Sequence, residues 1–302
     1  MSKTIIVDGN SVGHAAHRGT KLRSGDLETQ AVFGSIRTAR ALRQRSPDAT
    51  ILWLWDGRAQ WRFDLHPPYK SNRESDPKKK AERESYKKQR PYIATALEHL
   101  GVRQVTAMKH EADDMAGYFV AELTKKPENV IELITGDEDW AQLVRPNVTW
   151  QDHRDEDKRI TLANFMDKTG FPTPYTFLEG KCLVGDTSDV INGTGGLGDT
   201  RAPLFIAEFG SVRKFWQRCD SGDFVPKYKH HANLASKEGR AIFARNLRLM
   251  QLLKVEKPSP NDMRVVTGKL DVDKFTEVCE ELAFRSITKD VSAWVHAFKP
   301  TH

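Results

Sequence analysis

The chain has 302 residues, with 47 Lys and Arg against 41 Asp and Glu for a net charge of +6, and a mean hydropathy of −0.59. Its 38% hydrophobic content, with 14 Phe, 7 Trp and 6 Tyr, excludes a wholly disordered polypeptide, and the length suits two domains or one large one. The longest unbroken apolar run, residues 51–55, falls far short of the roughly 20 residues that span a membrane.

The opening MSKTIIVDGN lacks the apolar stretch of a signal peptide, so a cytoplasmic protein with no membrane partner is expected. Cys182, Cys219 and Cys279 are widely spaced and form no CxxC, which argues for a reducing compartment rather than a disulfide framework or a zinc cage.

In chain order, three short apolar runs each end on an aspartate: Ile5-Ile6-Val7 on Asp8, residues 51–55 on Asp56, and residues 130–134 on Thr135-Gly136-Asp137. Such runs, closed by turns containing glycine, predict buried strands. Helical patterns over 28–45, 86–100 and 112–125 alternate with them, which predicts an α/β fold with a mainly parallel central sheet. Ligands of such sheets collect beyond the carboxyl ends of the strands, where these aspartates stand.

Residues 58–90 interrupt this rhythm with eleven Lys and Arg against five acids, a local excess equal to the whole chain's net charge. With Pro67, Pro68 and Pro77 breaking regular structure, the expectation is a mobile basic insertion over the acidic rim, spanning about 58–95. A solvated helical face is the plainer alternative. After Pro174 the pattern turns helical, with helices over 175–184 and 202–209 and a further one over 272–282. The expected division is an α/β domain over 1–174 and a helical region over 175–302.

Acids recur in three more clusters. Glu111, Asp113 and Asp114 precede a helix, where they could serve as caps. Three carboxylates in four positions exceed that need and repel one another unless a cation intervenes. Asp137 and Asp139 face one side if extended, and Asp186 and Asp189 share a face if helical. Together with Asp8 and Asp56 they make nine oxygen donors, without His or Cys at ligand spacing, which selects Mg²⁺ or Mn²⁺ over zinc. Two such ions about 3.5–4 Å apart would clamp a phosphodiester.

Gly193, Gly195, Gly196 and Gly198 satisfy G-x-G-x-x-G, yet no buried strand precedes them, so a dinucleotide site is not expected. A tight turn between two helices fits better. Its backbone would approach a DNA phosphate, with Arg201 in support and K⁺ as a candidate bridging ion.

Read together, IIVDGN, WLWDG, YKSNR, HEADDMA, TGDEDW, LVGDTSDVINGTGGLG and FARNLRLM resemble the 5′ nuclease (flap endonuclease) superfamily. Order and spacing are most like bacteriophage 5′-3′ exonucleases and the 5′ nuclease domain of bacterial DNA polymerase I, over about residues 1–285. The resemblance implies a PIN-like domain, a helical arch, and a helix-three-turn-helix over about 178–210 that grips duplex DNA. It also implies a first metal held by Asp8, Asp56, Glu111 and Asp113, a second by Asp137, Asp139 and Asp189, and accessory acids at Asp114 and Asp186. Lys70 and Arg73 match residues that contact the scissile phosphate, and Tyr69 is expected to stack on a base. The sequence departs from the family after Gly198, where Asp199, Thr200 and Arg201 stand in place of a lysine, so duplex grip is expected either to be weaker or to shift to Arg201.

The implied function is metal-dependent 5′-3′ exonuclease and flap endonuclease action on DNA 5′ ends, flaps or nicks, extending to RNA-DNA hybrids, in replication and primer or flap removal. The implied protein is a monomer that works alongside replication proteins. With His302 the last residue, a stand-alone enzyme encoded by a phage is the expectation. Two rivals share part of the pattern. A PIN-type ribonuclease would have the acidic rim without the glycine-rich turn, and a non-catalytic branched-DNA-binding protein would keep the basic segment and lose the acids.

Overall fold

The computed structural model describes residues 2–299. Its centre is a seven-stranded sheet of β1 (Lys3–Asp8), β2 (Thr50–Trp55), β3 (Arg103–Ala107), β4 (Val130–Ile134), β5 (Val148–Gln151), β6 (Arg159–Ile160) and β7 (Met263–Val266), in the order β7-β3-β2-β1-β4-β5-β6. Strands β1 to β5 run parallel, and the edges β6 and β7 are antiparallel to their neighbours. The expected α/β class with a mainly parallel sheet is therefore present.

Alternate residues of each strand face opposite sides, and each side has its own apolar core. Ile6, Leu52, Leu54 and Leu133 pack beneath the helix Ala112–Leu123 and the helices that follow residue 174. Ile5, Val7, Ile51 and Trp53 pack against the helices Gly9–His17, Gln30–Arg45 and Pro77–His99.

The expected boundary at residue 174 is not a break in packing. Phe177, Leu178, Phe205 and Leu252 belong to the same core as Ile6 and Leu133. The chain then returns as β7 on the sheet edge, and as the helix Val272–Glu281 on the opposite face. Helices over Pro174–Val184 and Arg201–Phe209 lie within a residue of expectation.

The basic segment differs from expectation. Pro77 starts a helix rather than breaking one, because Asp76 accepts from the backbone N–H groups of Lys78 at 3.0 Å and Lys79 at 3.2 Å, and proline needs no N–H partner in the first turn. The helix then runs for 23 residues to His99, with Tyr86, Gln89, Ile93 and Leu97 buried on one stripe. Its first turns carry exposed Lys78, Lys79 and Lys80. No helix among the described residues is long and apolar enough to cross a membrane.

Candidate active site

From β1 the chain moves outward to β2 and β3, then crosses to β4 on the other side of β1. That reversal opens a crevice beyond the carboxyl ends of β1 and β4. Asp8 is the last residue of β1, Asp56 follows β2, and Thr135-Gly136-Asp137 follows β4. Eight of the nine predicted acids, all but Asp114, line one cleft of about 380 Å³ there, together with Lys70 and Arg73.

Each carboxylate is aimed by the local fold. Asp8 accepts from the Ser11 backbone N–H at 2.9 Å and the Thr135 hydroxyl at 2.8 Å. Asp56 accepts from the Ala112 N–H at 2.7 Å and from Asn10 at 2.5 Å, which ties β2 to the start of the Ala112–Leu123 helix. Trp140 donates its indole N–H to Asp113 at 2.7 Å. Asp137 caps a short 3-10 helix, Glu138–Leu143, by accepting from the Asp139 N–H at 2.8 Å. This tight turn, rather than extended chain, brings Asp137 and Asp139 together. Asp186 ends the first of two short antiparallel strands, Gly185–Asp186 and Ile191–Asn192, and Asp189 lies in the turn between them, so neither is on a helix. Gly185, with φ +83°, ends the preceding helix before it could reach them.

The acids repel one another. Burial and then the Asp56 charge push Asp8 up to about 6. Enclosure in the cleft and then Asp139 push Asp137 up to about 7. Asp113 rises well above the carboxylate range through burial, then Asp137 and Asp8. Glu111 goes the other way, since burial is outweighed by Lys70 and Arg62 and its carboxyl ends below its usual value. Lys70 stands 2.6 Å from Glu111, Arg73 3.3 Å from Asp189, and Lys181 2.8 Å from Asp139. Among the described residues no three His, Cys, Asp or Glu side chains already stand as a finished ligand set for one ion. The donor set itself suits hard divalent cations: it is all oxygen, and a positive ion would relieve the repulsion that raises Asp8, Asp113 and Asp137.

The family of 5′-3′ exonucleases, described by its N-terminal resolvase-like domain, matches residues 3–170. The chain belongs to this family. Curated relatives are DNA polymerase I of Lactococcus lactis, 26% identical over 300 residues (93% of this chain, 32% of the relative), and of Mycobacterium tuberculosis, 30% identical over 248 residues (77% and 26%). The chain thus spans about a third of their length or less. Among solved structures, the bacteriophage T5 5′-exonuclease with bound zinc aligns at TM-score 0.69 and 22% identity, covering 97% of this chain and 99% of that one. A T5 flap endonuclease variant in a pseudo-enzyme-product complex with DNA and metal ions aligns equally at 23% identity, and the catalytic core of Rad2 with substrate DNA at TM-score 0.56 and 14%. These likenesses establish the fold, and the motif resemblance to the 5′ nuclease superfamily is borne out.

In this 5′ nuclease fold the foot of the basic segment presses on the acid cluster. Lys70 holds φ +57° and its backbone N–H donates to the Asp189 carbonyl at 3.0 Å. Val190, a β-branched residue at φ +61°, has its carbonyl 2.8 Å from His66 Nε2. Two residues in the left-handed region thus meet at one contact, the kind of strain that clusters at functional sites.

Tyr69 is corrected. It is 3% exposed and packed edge-on against Phe63, with its hydroxyl donating to Glu111 at 2.9 Å. It fixes a carboxylate and has no free face for a base. Asp114 is corrected too. It is fully buried, bound at both oxygens by Arg62 at 2.7 and 2.5 Å, and its Oδ2 accepts from the Glu111 N–H at 2.9 Å. One residue of helical rotation separates it from Asp113 and turns it away from the cleft.

The glycine-rich turn lies between Pro174–Val184 and Arg201–Phe209, but it follows the short strand Ile191–Asn192 rather than joining the two helices directly as expected. A side chain on Gly193 would collide with the carbonyls of Leu183 and Val184, and Gly195 and Gly196 hold φ +89° and +88°. Gly198 has open space around it and accepts from the Arg201 and Ala202 N–H groups. Arg201 is exposed and donates to the Gly196 carbonyl at 3.1 Å, so it braces the turn as well as facing solvent.

Several cleft residues carried no sequence signal. Asn10 closes the DGN motif that starts at Asp8, and Ser11 lies just beyond it. Arg62, buried beside Glu111, and Lys181, paired with Asp139, do not line the cleft and had no sequence signal. His14 and His153 line the cleft and, lowered to about 4 first by burial, are neutral imidazoles at neutral pH. Asn246, within FARNLRLM, is fully buried and donates to the carbonyls of Cys182 and Asn192, which anchors the turn.

Proposed function

We propose that this chain is a divalent-metal-dependent 5′-3′ exonuclease and flap endonuclease that hydrolyses DNA phosphodiester bonds with two ions. The observation that carries this reading is the convergence of eight carboxylates on one cleft with Lys70 and Arg73 on its rim. Asp8, Asp56, Glu111 and Asp113 would hold one Mg²⁺ or Mn²⁺ ion, and Asp137, Asp139 and Asp189 a second, with Glu111 shared and Asp186 accessory. Bound there, such ions supply Lewis acidity to the phosphate and acidify water.

The chain's own residues do the positioning. Lys70, 2.6 Å from Glu111 and 3.6 Å from Asp189, can hold a phosphate oxygen set between those acids, and Arg73 adds a second donor. Tyr69, Thr135, Asn10 and Trp140 keep four carboxylates aimed. The basic helix start offers cations to a single strand, and the turn at Gly193–Gly198 offers backbone groups to duplex phosphates, with K⁺ as the bridging ion.

The substrates on this reading are DNA 5′ ends, flaps and nicks, with RNA-DNA hybrids included. The setting is primer or flap removal beside replication proteins, by a monomer in the cytoplasm of a bacterium or a phage-infected host. Cleavage of a 5′-labelled flap and a nicked duplex, in Mg²⁺ and in EDTA, tests it with the wild type and Asp137→Ala. Metal-dependent products near the junction, lost in the variant, support the reading. Cleavage that persists in EDTA, or DNA binding without cleavage, overturns it.

A further inference from the structure

A second cleft of about 540 Å³ shares no lining residue with the catalytic one. Its walls are Trp61 from the short helix Gln60–Leu65, Lys109 beyond β3, Arg248 at the end of the helix Lys237–Met250, and Lys254 and Lys257 beyond that helix. Four cations face two acids, Glu256 and Asp262, and Asp262 is paired with Lys109 at 3.1 Å. Trp61 is half-buried, with the Arg62 guanidinium stacked on its ring at 4.4 Å. Arg62 is in turn clamped by Asp114 and by the Leu249 carbonyl at 3.0 Å. The indole is thus fixed from beneath, and stacking on it would immobilise nothing further.

We propose that this cleft is a subsite for single-stranded DNA, with a base stacked on Trp61 and phosphates held by Lys109, Arg248, Lys254 and Lys257. An aromatic platform rimmed by cations is the pattern by which proteins hold single strands without regard to sequence, since every base has a π-face and every nucleotide a charge. Duplex DNA keeps its base faces stacked and cannot use such a platform. The cleft backs onto the catalytic centre, because the neighbour of Trp61, Arg62, lies 3.5 Å from Glu111 and the neighbour of Lys109, His110, precedes Glu111. The strand it receives is the unpaired tail of the DNA whose junction sits at the acids. This assignment rests on the nuclease reading for its substrate and on the second cleft alone for its site.

The test uses the full chain as wild type, Trp61→Ala, Trp61→Phe, and the double variant Lys109→Ala with Lys254→Ala. Affinity for a fluorescent oligo-dT is measured in EDTA, and kcat and KM in Mg²⁺ on a flap of ten nucleotides and on a nicked duplex without a flap. Trp61→Ala should weaken oligo-dT binding about fivefold or more and raise KM on the flap alike, with kcat and the nicked substrate unchanged. Trp61→Phe should retain most of the affinity. The double lysine variant should lower the slope of log affinity against log salt by about 1.4, a change that Trp61→Ala does not make. Wild-type oligo-dT affinity in Trp61→Ala overturns the proposal. So does an equal KM rise on the nicked duplex, which would mean that Trp61 only supports Arg62. If no protein cleaves any substrate the nuclease reading falls, and the oligo-dT arm still decides the subsite.

Discussion

On the proposed reading the rim of the sheet and the glycine-rich turn both meet phosphate, and they are built in opposite ways. At the rim, buried side chains carry the function and strain against one another: Asp8 and Asp137 are pushed up to about 6 and about 7. At the turn the backbone would make the contact, and close packing excludes side chains: Gly193 sits against the Leu183 and Val184 carbonyls. The difference teaches that loss of function and loss of stability should separate at the rim and coincide at the turn. Rim substitutions should remove activity while easing the fold, whereas turn substitutions should weaken the fold and DNA grip together.

Asp8→Asn gives the largest expected effect. It keeps the size and the Thr135 contact but removes a donor, so metal-dependent kcat should fall about 10³-fold or more. The midpoint of thermal unfolding in EDTA at pH 8 should stay level or rise. A lower midpoint in EDTA would break the comparison, because the rim would then be stabilised by its charges.

Arg62→Met comes next. It leaves Asp114 buried without its partner, and breaking a buried pair costs about 3–5 kcal/mol. Denaturant titration should show that loss, and Asp114→Asn in the same background should recover part of it. Full stability in Arg62→Met would mean that the pair does not hold the wall between the two clefts.

The pH dependence of stability sharpens the electrostatic side. The folded pKa values of Asp8 and Asp137 lie above the unfolded value of 3.8, so the folded state binds more protons between pH about 4 and about 7. Metal-free protein should therefore lose stability as pH rises through that window. For buried Asp8 the loss is on the order of 3 kcal/mol. Glu111, lowered beside Lys70 and Arg62, opposes this with stability that is present above its unfolded pKa and lost as pH falls. Unfolding midpoints at pH 5 and pH 8 in EDTA should fall with pH, and Mg²⁺ should flatten the difference. Equal slopes in EDTA and Mg²⁺ would detach the ion from these acids.

Gly193→Ala is the smallest effect. The added methyl must displace two carbonyls, for about 1–3 kcal/mol of lost stability. KM on duplex substrates should rise with kcat unchanged, and a change in kcat alone would tie the turn to the chemistry instead.

The strands that place Asp8, Asp56 and Asp137 were legible because their apolar runs are unbroken and end on the functional residue. β3, with the sequence RQVTA, was not, since its polar residues hide a strand whose Gln104 is buried and bonded to Trp55. β7 is an edge strand with exposed Arg264 and Val265, so it has little apolar pattern to show. Within the site, acid type was readable and direction was not. Asp113 and Asp114 are identical neighbours in sequence, and partners distant in the chain, Trp140 for Asp113 and Arg62, 52 residues away, for Asp114, mark which of them leaves the cleft. Tyr69 reads as a base-stacking residue until Phe63 and Glu111 are seen to enclose it. Asp186 and Asp189 reached the cleft by a turn, because the helix before them stops at Gly185.

The left-handed backbone of Lys70 sets chemistry against conformational ease. Glycine is the residue that φ +57° favours, and it would bring no amine to Glu111 and Asp189. Val190 faces the same conflict across the contact, and each such residue costs about 1–3 kcal/mol that its surroundings must offset. The Lys70 bond to Asp189 and the His66 contact with Val190 offset both at once. The foot of the basic segment and the last pair of acids therefore behave as one latch. A substitution that frees one side should loosen the other, which ties the position of the Lys70 amine to that of the acids it faces.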